Sequence, residues 1–183
     1  MIPAQMPLAP PVSLTLRDGA VYTQRLITEY DAPALAEFYA SVPRDDSRFY
    51  MGPSALNEAH AEVDAQEAVS PLVVALVLES SDGRIVAFSW YRWAEGVDQV
   101  STFGICVRRG FQGIGAGEAM ITRIISIAEH VGPDAMSLTV QKANLRAQKL
   151  YLKSGFQIVR EQMIGERDGF DAEPEYYMER SVR

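Results

Sequence analysis

The most informative chemical feature of the sequence is a glycine-rich turn, Gln112-Gly113-Ile114-Gly115-Ala116-Gly117, which follows an apolar segment ending at Val107. Glycine lets the backbone approach a ligand closely and present consecutive N–H groups. The residues after the turn have helical periodicity, so the turn leads into a helix N-terminus with its partial positive charge. This combination favours the binding of a phosphate or pyrophosphate group.

The spacing of the glycines differs from that of two common phosphate-binding motifs. A dinucleotide-binding fold requires G-x-G-x-x-G after the first strand and an acidic residue about 20 residues later. Here the pattern is G-x-G-x-G and it follows several predicted strands. A phosphate-binding P-loop requires Lys and then Ser or Thr, whereas Glu118 and Ala119 follow Gly117. A tight turn that binds no ligand stays open on these residues alone.

Predicted strands and helices place the turn inside an α/β domain. Hydrophobic patterns and turn signals predict strands over residues 21–28, 72–78, 85–93, 97–107, 136–140, 156–164 and 176–180. Helical periodicity and capping residues predict helices over 31–41, 54–69, 115–131 and 144–154. Residues 72–93 form a predicted hairpin, and residues 43–52 and 165–175 are predicted polar loops. This order predicts a mixed, strongly twisted sheet flanked by about four helices.

Composition limits the classes of function. The net charge of −7 disfavours nucleic acid as a partner and is compatible with a cationic acceptor. The one cysteine excludes an internal disulfide, and His60 and His130 share no ligand spacing, so no metal is expected. These cysteine and histidine counts fit a reducing cytoplasm, so a cytoplasmic location is predicted. No stretch approaches the roughly 20 apolar residues that cross a bilayer, so no membrane partner is expected. Residues 1–14 are a predicted flexible tail before one domain over 15–183.

A second motif lies downstream of the turn. It reads Asn144-Leu-Arg-Ala147-Gln-Lys-Leu150-Tyr151-Leu-Lys-Ser-Gly155-Phe156. Together, Q-G-x-G-x-G after an apolar strand and N-x-x-A-x-x-L-Y-x-x-x-G-F resemble the signature of the GNAT superfamily of acyl-CoA N-acyltransferases, over roughly residues 26–180. The opening Leu16-Arg17-Asp18-Gly19 is similar to that of bacterial GNAT domains related to protein-lysine acetyltransferases.

The resemblance implies a binding site for acetyl-CoA at the turn. The backbone N–H groups of the turn would hold the pyrophosphate. Arg108 and Arg109 are expected to reach its phosphates, with a pair of solvated arginines as the alternative. Ile105 and Val107 lie on the strand that splays from its neighbour in this fold, where free backbone groups would pair with pantetheine amides. Asn144 would hydrogen-bond the pantetheine arm, cap the following helix, or do both.

The resemblance also implies a general acid, Tyr151, which would protonate the departing thiolate. The amine acceptor must lose a proton, and many family members carry a glutamate where this chain has Thr102 or Thr139. Asp98, earlier on the same predicted strand as Thr102, is the predicted substitute base, and a water-mediated or base-free route stays open. Cys106 is not expected to be a nucleophile, because an apolar strand raises the pKa of a thiol.

Aromatic and acidic residues are candidates for the acceptor pocket. Tyr91 and Trp93 point to one face of a predicted strand and Trp90 to the other, and an aromatic wall can hold a cation. The acidic loop at 165–175 and the two tyrosines after it could do the same. Packing in the core and solubility of the surface are the alternative roles of all these residues.

These features predict transfer of an acetyl group from acetyl-CoA to a primary amine, by direct attack in a ternary complex. A small-molecule amine is slightly preferred over a protein lysine or N-terminus as the acceptor partner. Two other functions stay open: a non-catalytic module that senses acyl-CoA, and an acyltransferase that uses a longer acyl-CoA. A homodimer is as open as a monomer.

Overall fold

Two β-sheets and the helices that cover them form the framework of the chain. The computed structural model describes residues 9–50, 56–94, 96, 101–166 and 169–183. The strands in these residues are β1 (Val12–Thr15), β2 (Val21–Leu26), β3 (Val73–Ser80), β4 (Ile85–Trp93), β5 (Ser101–Val107), β6 (Ala135–Gln141), β7 (Gln157–Ile164) and β8 (Glu173–Ser181). The helices are α1 (Ala32–Ala40), α2 (Arg44–Ser47), α3 (Glu58–Glu67), α4 (Ala116–Ala128) and α5 (Leu145–Lys153). The predicted α/β class is confirmed.

The strands form one sheet of five and one of three. The first sheet contains β1 to β5 in chain order, and in the second sheet β8 lies between β6 and β7. The predicted hairpin is confirmed, since β3 and β4 pair antiparallel with Val73 opposite Arg92 and Leu78 opposite Ala87. β5 is the last strand of the first sheet, and β6 is an edge of the second.

β5 and β6 begin side by side and then separate. The Ser101 hydroxyl donates to the carbonyl oxygen of Ala135 at 2.6 Å and accepts from the backbone N–H of Ser137 at 3.1 Å. The Ser137 hydroxyl donates to the Ser101 carbonyl in return. In the part of the chain that the structure describes, no backbone–backbone hydrogen bond joins the two strands. Their far ends therefore line an open cleft.

Helix α4 covers one face of the first sheet. Met120, Ile121 and Ile124 are fully buried on its inner side, as the helical periodicity predicts. β5 contributes Phe103 to this core cluster and Cys106 to a second cluster against α1 on the opposite face. Core clusters thus pack against both faces of β5, and its edge facing β6 borders the cleft.

The sequence does not predict β1 or α2, because both are too short to show periodicity. β1 has four residues with mostly exposed side chains, and its place is set by pairing with β2, from Val12 opposite Gln24 to Thr15 opposite Val21. Residues 12–14 therefore lie in a strand, within the range predicted as a tail. α2 is a single turn after Pro43 within the predicted loop at 43–52.

The predicted helix start at Ser54 and strand start at Val97 lie outside the described residues. No helix among the residues that the structure describes is long and apolar enough to cross a membrane.

A buried carboxylate holds α3 against α1 and β4. Asp64 is 2% exposed and accepts a hydrogen bond from the Tyr39 hydroxyl. One of its oxygens lies 2.5 Å from the Arg92 guanidinium, and the His60 Nε2 atom lies 3.4 Å from the other. Breaking a buried ion pair by removing one partner is strongly destabilising, because the other charge is left uncompensated.

Asp64→Ala should therefore lower the free energy of unfolding by about 3 kcal/mol, as measured by urea denaturation. Asp82→Ala is the matched control, because Asp82 pairs with Arg84 in the exposed turn between β3 and β4. Exposed pairs contribute little, so the control should show no measurable change. Equal unfolding midpoints for the two variants would show that the Asp64 network does not stabilise the fold.

Candidate functional site

A cleft of about 430 Å³ opens between the separated ends of β5 and β6. It gathers most of the residues that the sequence predicts for the site: Ile105, Val107, Gln112, Gly113, Gly115, Gly117, Asn144 and Tyr151. Its other lining residues are Arg17, Asp46, Phe49, Tyr50, Glu118, Thr139, Val140, Arg146, Ala147 and Leu150. Ile114 and Ala116, also predicted, pack toward the core rather than the cleft. Two motifs far apart in sequence thus meet at one place.

The glycine turn has a backbone that favours glycine at two positions. Gly113 has φ +85° and Gly115 has φ +101°, in the left-handed region that other residues rarely adopt. Gly115 is the N-cap of α4, and no side-chain hydrogen bond caps the helix there. The first backbone N–H groups of an α-helix have no partner within the helix, so this terminus presents donors and a partial positive charge toward the cleft.

Gly117 leaves space that a side chain would fill. A Cβ atom at this position would lie 3.2 Å from Leu150 Cδ2 and 3.9 Å from Ile105 Cδ1. The helix can therefore approach β5 and α5 closely while keeping the cleft open between them. An anionic ligand fits this arrangement, because unpaired N–H groups and a helix terminus border a space free of side chains.

The Gln112 side chain fastens the turn to the end of β5. Its Nε2 atom donates to the Val107 carbonyl oxygen at 3.2 Å, and its Oε1 atom accepts from Arg146. Arg146 lies on the cleft wall and was not predicted as a site residue. It occupies a variable position of the Asn144–Phe156 motif, so the motif itself carries no signal for it.

Arg108 and Arg109 both bind carboxylates. The Arg108 guanidinium lies 2.6 Å from a Glu37 oxygen, and that of Arg109 lies 2.8 Å from an Asp46 oxygen. Neither residue lines the cleft. Their predicted contact with phosphates stays a prediction, and it would require exchange of these carboxylates.

Arg17 supplies a cation at the turn that the sequence analysis missed. Its backbone N–H donates to the Ile114 carbonyl oxygen at 2.9 Å, and its guanidinium lies 2.7 Å from Glu118. A Cβ atom at Gly115 would lie 3.8 Å from Arg17 Nε. Arg17 reaches the turn from the β1–β2 connection. Because β1 was not predicted, no sequence signal placed this arginine there.

The edge of β5 and the cap of α5 form the sides of the cleft. β5 pairs only with β4 among the described strands, so no strand covers its outer edge where Ile105 and Val107 line the cleft. On this edge the Val107 carbonyl oxygen accepts from the Gln112 side chain. The Asn144 Oδ1 atom accepts from the Ala147 N–H at 3.1 Å and caps α5. The predicted cap is confirmed, and a contact of Asn144 with pantetheine stays a prediction.

Tyr151 lies near the end of α5 with its hydroxyl free to meet a ligand. The residue is 6% exposed, and its ring packs against Phe103 and Phe156 at centroid distances of 6.1 and 6.0 Å. The hydroxyl makes no hydrogen bond to any described residue. Burial raises the pKa of Tyr151, with a smaller contribution from Cys106. The phenol therefore keeps its proton at neutral and moderately alkaline pH.

A second tyrosine, Tyr50, also lines the cleft. Burial raises its pKa, with Cys106 and Asp46 adding to the effect. Burial also raises the pKa of the Cys106 thiol, which agrees with the prediction that this cysteine is not a nucleophile. Tyr50 follows α2 in a segment predicted as a polar loop, and no periodicity marked its ring as part of the site.

The predicted general base cannot be located in the cleft. Asp98 lies outside the described residues. Thr139 lines the cleft and Thr102 is exposed on β5, and neither can act as a carboxylate base. Among the described residues, no group of three or more His, Cys, Asp or Glu side chains could hold a metal ion.

Comparisons with known proteins agree with this architecture. The model of the Acetyltransferase (GNAT) family matches residues 33–156. No curated protein matches the chain. The GNAT domain of S. lividans PAT is 21% identical with a TM-score of 0.75, over 93% of this chain and 96% of that one. The acetyltransferase of the GNAT family from Streptococcus pneumoniae is 20% identical with a TM-score of 0.74, over 88% and 99%.

A third solved structure, yncA from Salmonella typhimurium with its cofactor acetyl-CoA, is 17% identical with a TM-score of 0.74, over 88% of this chain and 94% of that one. At these identities the structures show a shared fold, which confirms the predicted GNAT-like architecture. The family model covers more than half of the chain. The chain therefore belongs to the GNAT acetyltransferase family and is an N-acetyltransferase of that family.

Proposed function

We propose that this enzyme transfers the acetyl group of acetyl-CoA to a primary amine, with a small-molecule amine preferred over a protein lysine or N-terminus. The observation that carries the proposal is one cleft holding the glycine turn, the open edge of β5 and the unpartnered Tyr151 hydroxyl. The covering segment at residues 46–50 narrows the cleft, which favours a small acceptor.

Several residues would hold acetyl-CoA. The N–H groups of the turn and the start of α4 would bind the pyrophosphate. Arg17 and Arg146 lie beside the turn and would add positive charge, in the role predicted for Arg108 and Arg109. The β5 edge at Ile105 and Val107 would pair with the pantetheine amides. The related yncA structure contains acetyl-CoA, which supports the choice of this co-substrate.

The acyl group that fits is short. Trp90 lies opposite Gly104 across β4 and β5, and a Cβ atom at Gly104 would lie 2.0 Å from the Trp90 ring. The indole therefore occupies the space on that face of Gly104. Neither residue lines the cleft, so this face of β5 offers no extension of the cleft for a longer acyl chain, and we favour acetyl over longer acyl groups.

Direct attack of the amine on the thioester gives a role to the β5 edge, to Tyr151 and to Asp98. The amine nitrogen would attack the thioester carbonyl carbon of acetyl-CoA to form a tetrahedral oxyanion, and its collapse would break the C–S bond and release CoA. A backbone N–H of the β5 edge would stabilise the oxyanion. Tyr151, which holds its proton because burial raises its pKa, would protonate the leaving thiolate. Asp98 is the proposed acceptor of the amine proton. Holding both substrates in one cleft supplies much of the acceleration.

Calorimetric titration of the wild type with acetyl-CoA, CoA and NAD should show binding of the two CoA species alone. Gly115→Glu should abolish this binding, because it places a carboxylate and a strained backbone at the phosphate site. Gly83→Glu is the matched control, since Gly83 has φ +82° in open space between β3 and β4, and it should bind CoA normally. If the wild type does not bind CoA, the proposed function is wrong.

Tyr151→Phe should lower kcat by about 10²-fold, because it removes the proton donor. The dissociation constant of acetyl-CoA should change by less than about twofold, since the ring and its packing are kept. Steady-state kinetics with a panel of amines gives the first value, and calorimetry gives the second. Tyr50→Phe is the control, and a loss confined to that variant would assign the proton donor to Tyr50 instead.

Asp98→Asn should lower turnover at neutral pH by about 10²-fold or more if Asp98 is the base. Asp82→Asn, in the exposed β3–β4 turn, makes the same change of charge away from the cleft and should leave turnover unaltered. Unchanged turnover in Asp98→Asn would favour a water-mediated route. Tight binding of acetyl-CoA by the wild type without turnover on any amine would instead support a non-catalytic sensor of acyl-CoA.

A further inference from the structure

The second sheet has a polar face that borders the cleft. Val140 on β6 and Met178 on β8 are buried in the core cluster that includes α4. Side chains alternate along a strand, so the residues between these positions, Thr139 on β6 and Glu175 on β8 among them, point to the opposite face. This face carries mainly polar and charged side chains.

Glu175 is a buried carboxylate on this polar face. It is 3% exposed, and its Oε1 atom accepts from the Gln162 side-chain amide at 2.7 Å. The Oε2 atom is buried and has no hydrogen-bond partner among the described residues. Burying a carboxylate without a counter-charge costs free energy. A buried acceptor atom without a protein donor points to a donor on a ligand.

The register places Glu175 next to the cleft. Thr139, which lines the cleft, lies opposite Tyr177, and Gln141 lies opposite Glu175. Glu175 is therefore a diagonal cross-strand neighbour of Thr139. Such neighbours are about 7 Å apart, so Glu175 lies just behind the cleft wall, although it is not itself a lining residue.

The covering segment, residues 46–50, reaches from the cleft to the residues around Glu175. Three of its residues line the cleft. Its Arg48 carbonyl oxygen accepts from Gln141 Nε2 at 2.9 Å, and the Arg48 guanidinium lies 3.2 Å from Glu173. Arg48 thus contacts the residue opposite Glu175 and the residue two positions before it. Displacement of this one surface segment would connect the Glu175 carboxylate with the cleft.

We propose that Glu175 binds a second cationic group of the acceptor, so that the preferred acceptor is a short diamine rather than a monoamine. This inference rests on the proposed function. One amine, deprotonated, would react in the cleft near Tyr151, and the other, as an ammonium group, would donate to Glu175 Oε2. Thr139 lines the same cleft as Tyr151 and Glu175 is its diagonal neighbour, so the acceptor class is a short alkyl diamine. The net charge of −7 would also attract a dication.

The test compares 1,4-diaminobutane with butylamine, which lacks the second cationic group. With acetyl-CoA saturating, the wild type should show a kcat/KM about 30-fold higher for the diamine, the scale of a buried charge contact. Glu175→Gln should lose that advantage while its kcat/KM for butylamine stays unchanged. Glu179→Gln is the matched control on the same strand and face, where the carboxylate already accepts from the Tyr177 hydroxyl at 2.8 Å, and it should keep the advantage.

Calorimetric titration of 1,4-diaminobutane into the complex with CoA separates this inference from the proposed function. Binding that is lost in Glu175→Gln, without turnover of either amine, would support the Glu175 site and contradict acetyl transfer to these small amines. Equal kcat/KM for the two amines with the wild type would overturn the Glu175 site while leaving acetyl transfer intact. A diamine preference that persists in a Glu175→Gln variant with an unchanged thermal midpoint would overturn it as well.

Discussion

The separation of β5 from β6 is the constraint on which the rest of the site depends. Ser101 and Ser137 tie the two strands together where they begin, and no backbone–backbone hydrogen bond joins them later in the described chain. An edge strand normally invites pairing with another chain. Here core clusters pack against both faces of β5 and its edge borders a narrow cleft, so that edge is accessible to an extended ligand of small cross-section.

Two arginines near the turn are held in exposed ion pairs, which a ligand phosphate could replace under the proposed function. Arg17 is bound by Glu118, and Arg109 by Asp46. Both arginine side chains are more than half exposed, and exposed ion pairs contribute little to stability because water screens them. A ligand phosphate that also gains the N–H groups of α4 can therefore take over these guanidinium groups without a large loss of stability.

Local patterns in the sequence predicted most of the strands and helices and about half of the residues that line the cleft. The glycine turn and the Asn144–Phe156 motif are each continuous, so their spacing predicts a strand, a turn and two helices that the structure confirms. Arg17, Arg146 and Tyr50 come to the cleft through pairing and packing with distant residues, and no local pattern encodes that. The carboxylates that bind Arg108 and Arg109 come from α1 and α2, and for the same reason the sequence does not predict them.

The contact between Trp90 and Gly104 also limits how this protein can change over evolution. A side chain at position 104 would occupy the space of the Trp90 ring, and a smaller residue at position 90 would leave a cavity above the glycine. Each single substitution is therefore unfavourable while the other residue is unchanged. The two positions are epistatic, since a side chain at position 104 can be accommodated only where position 90 carries a smaller residue.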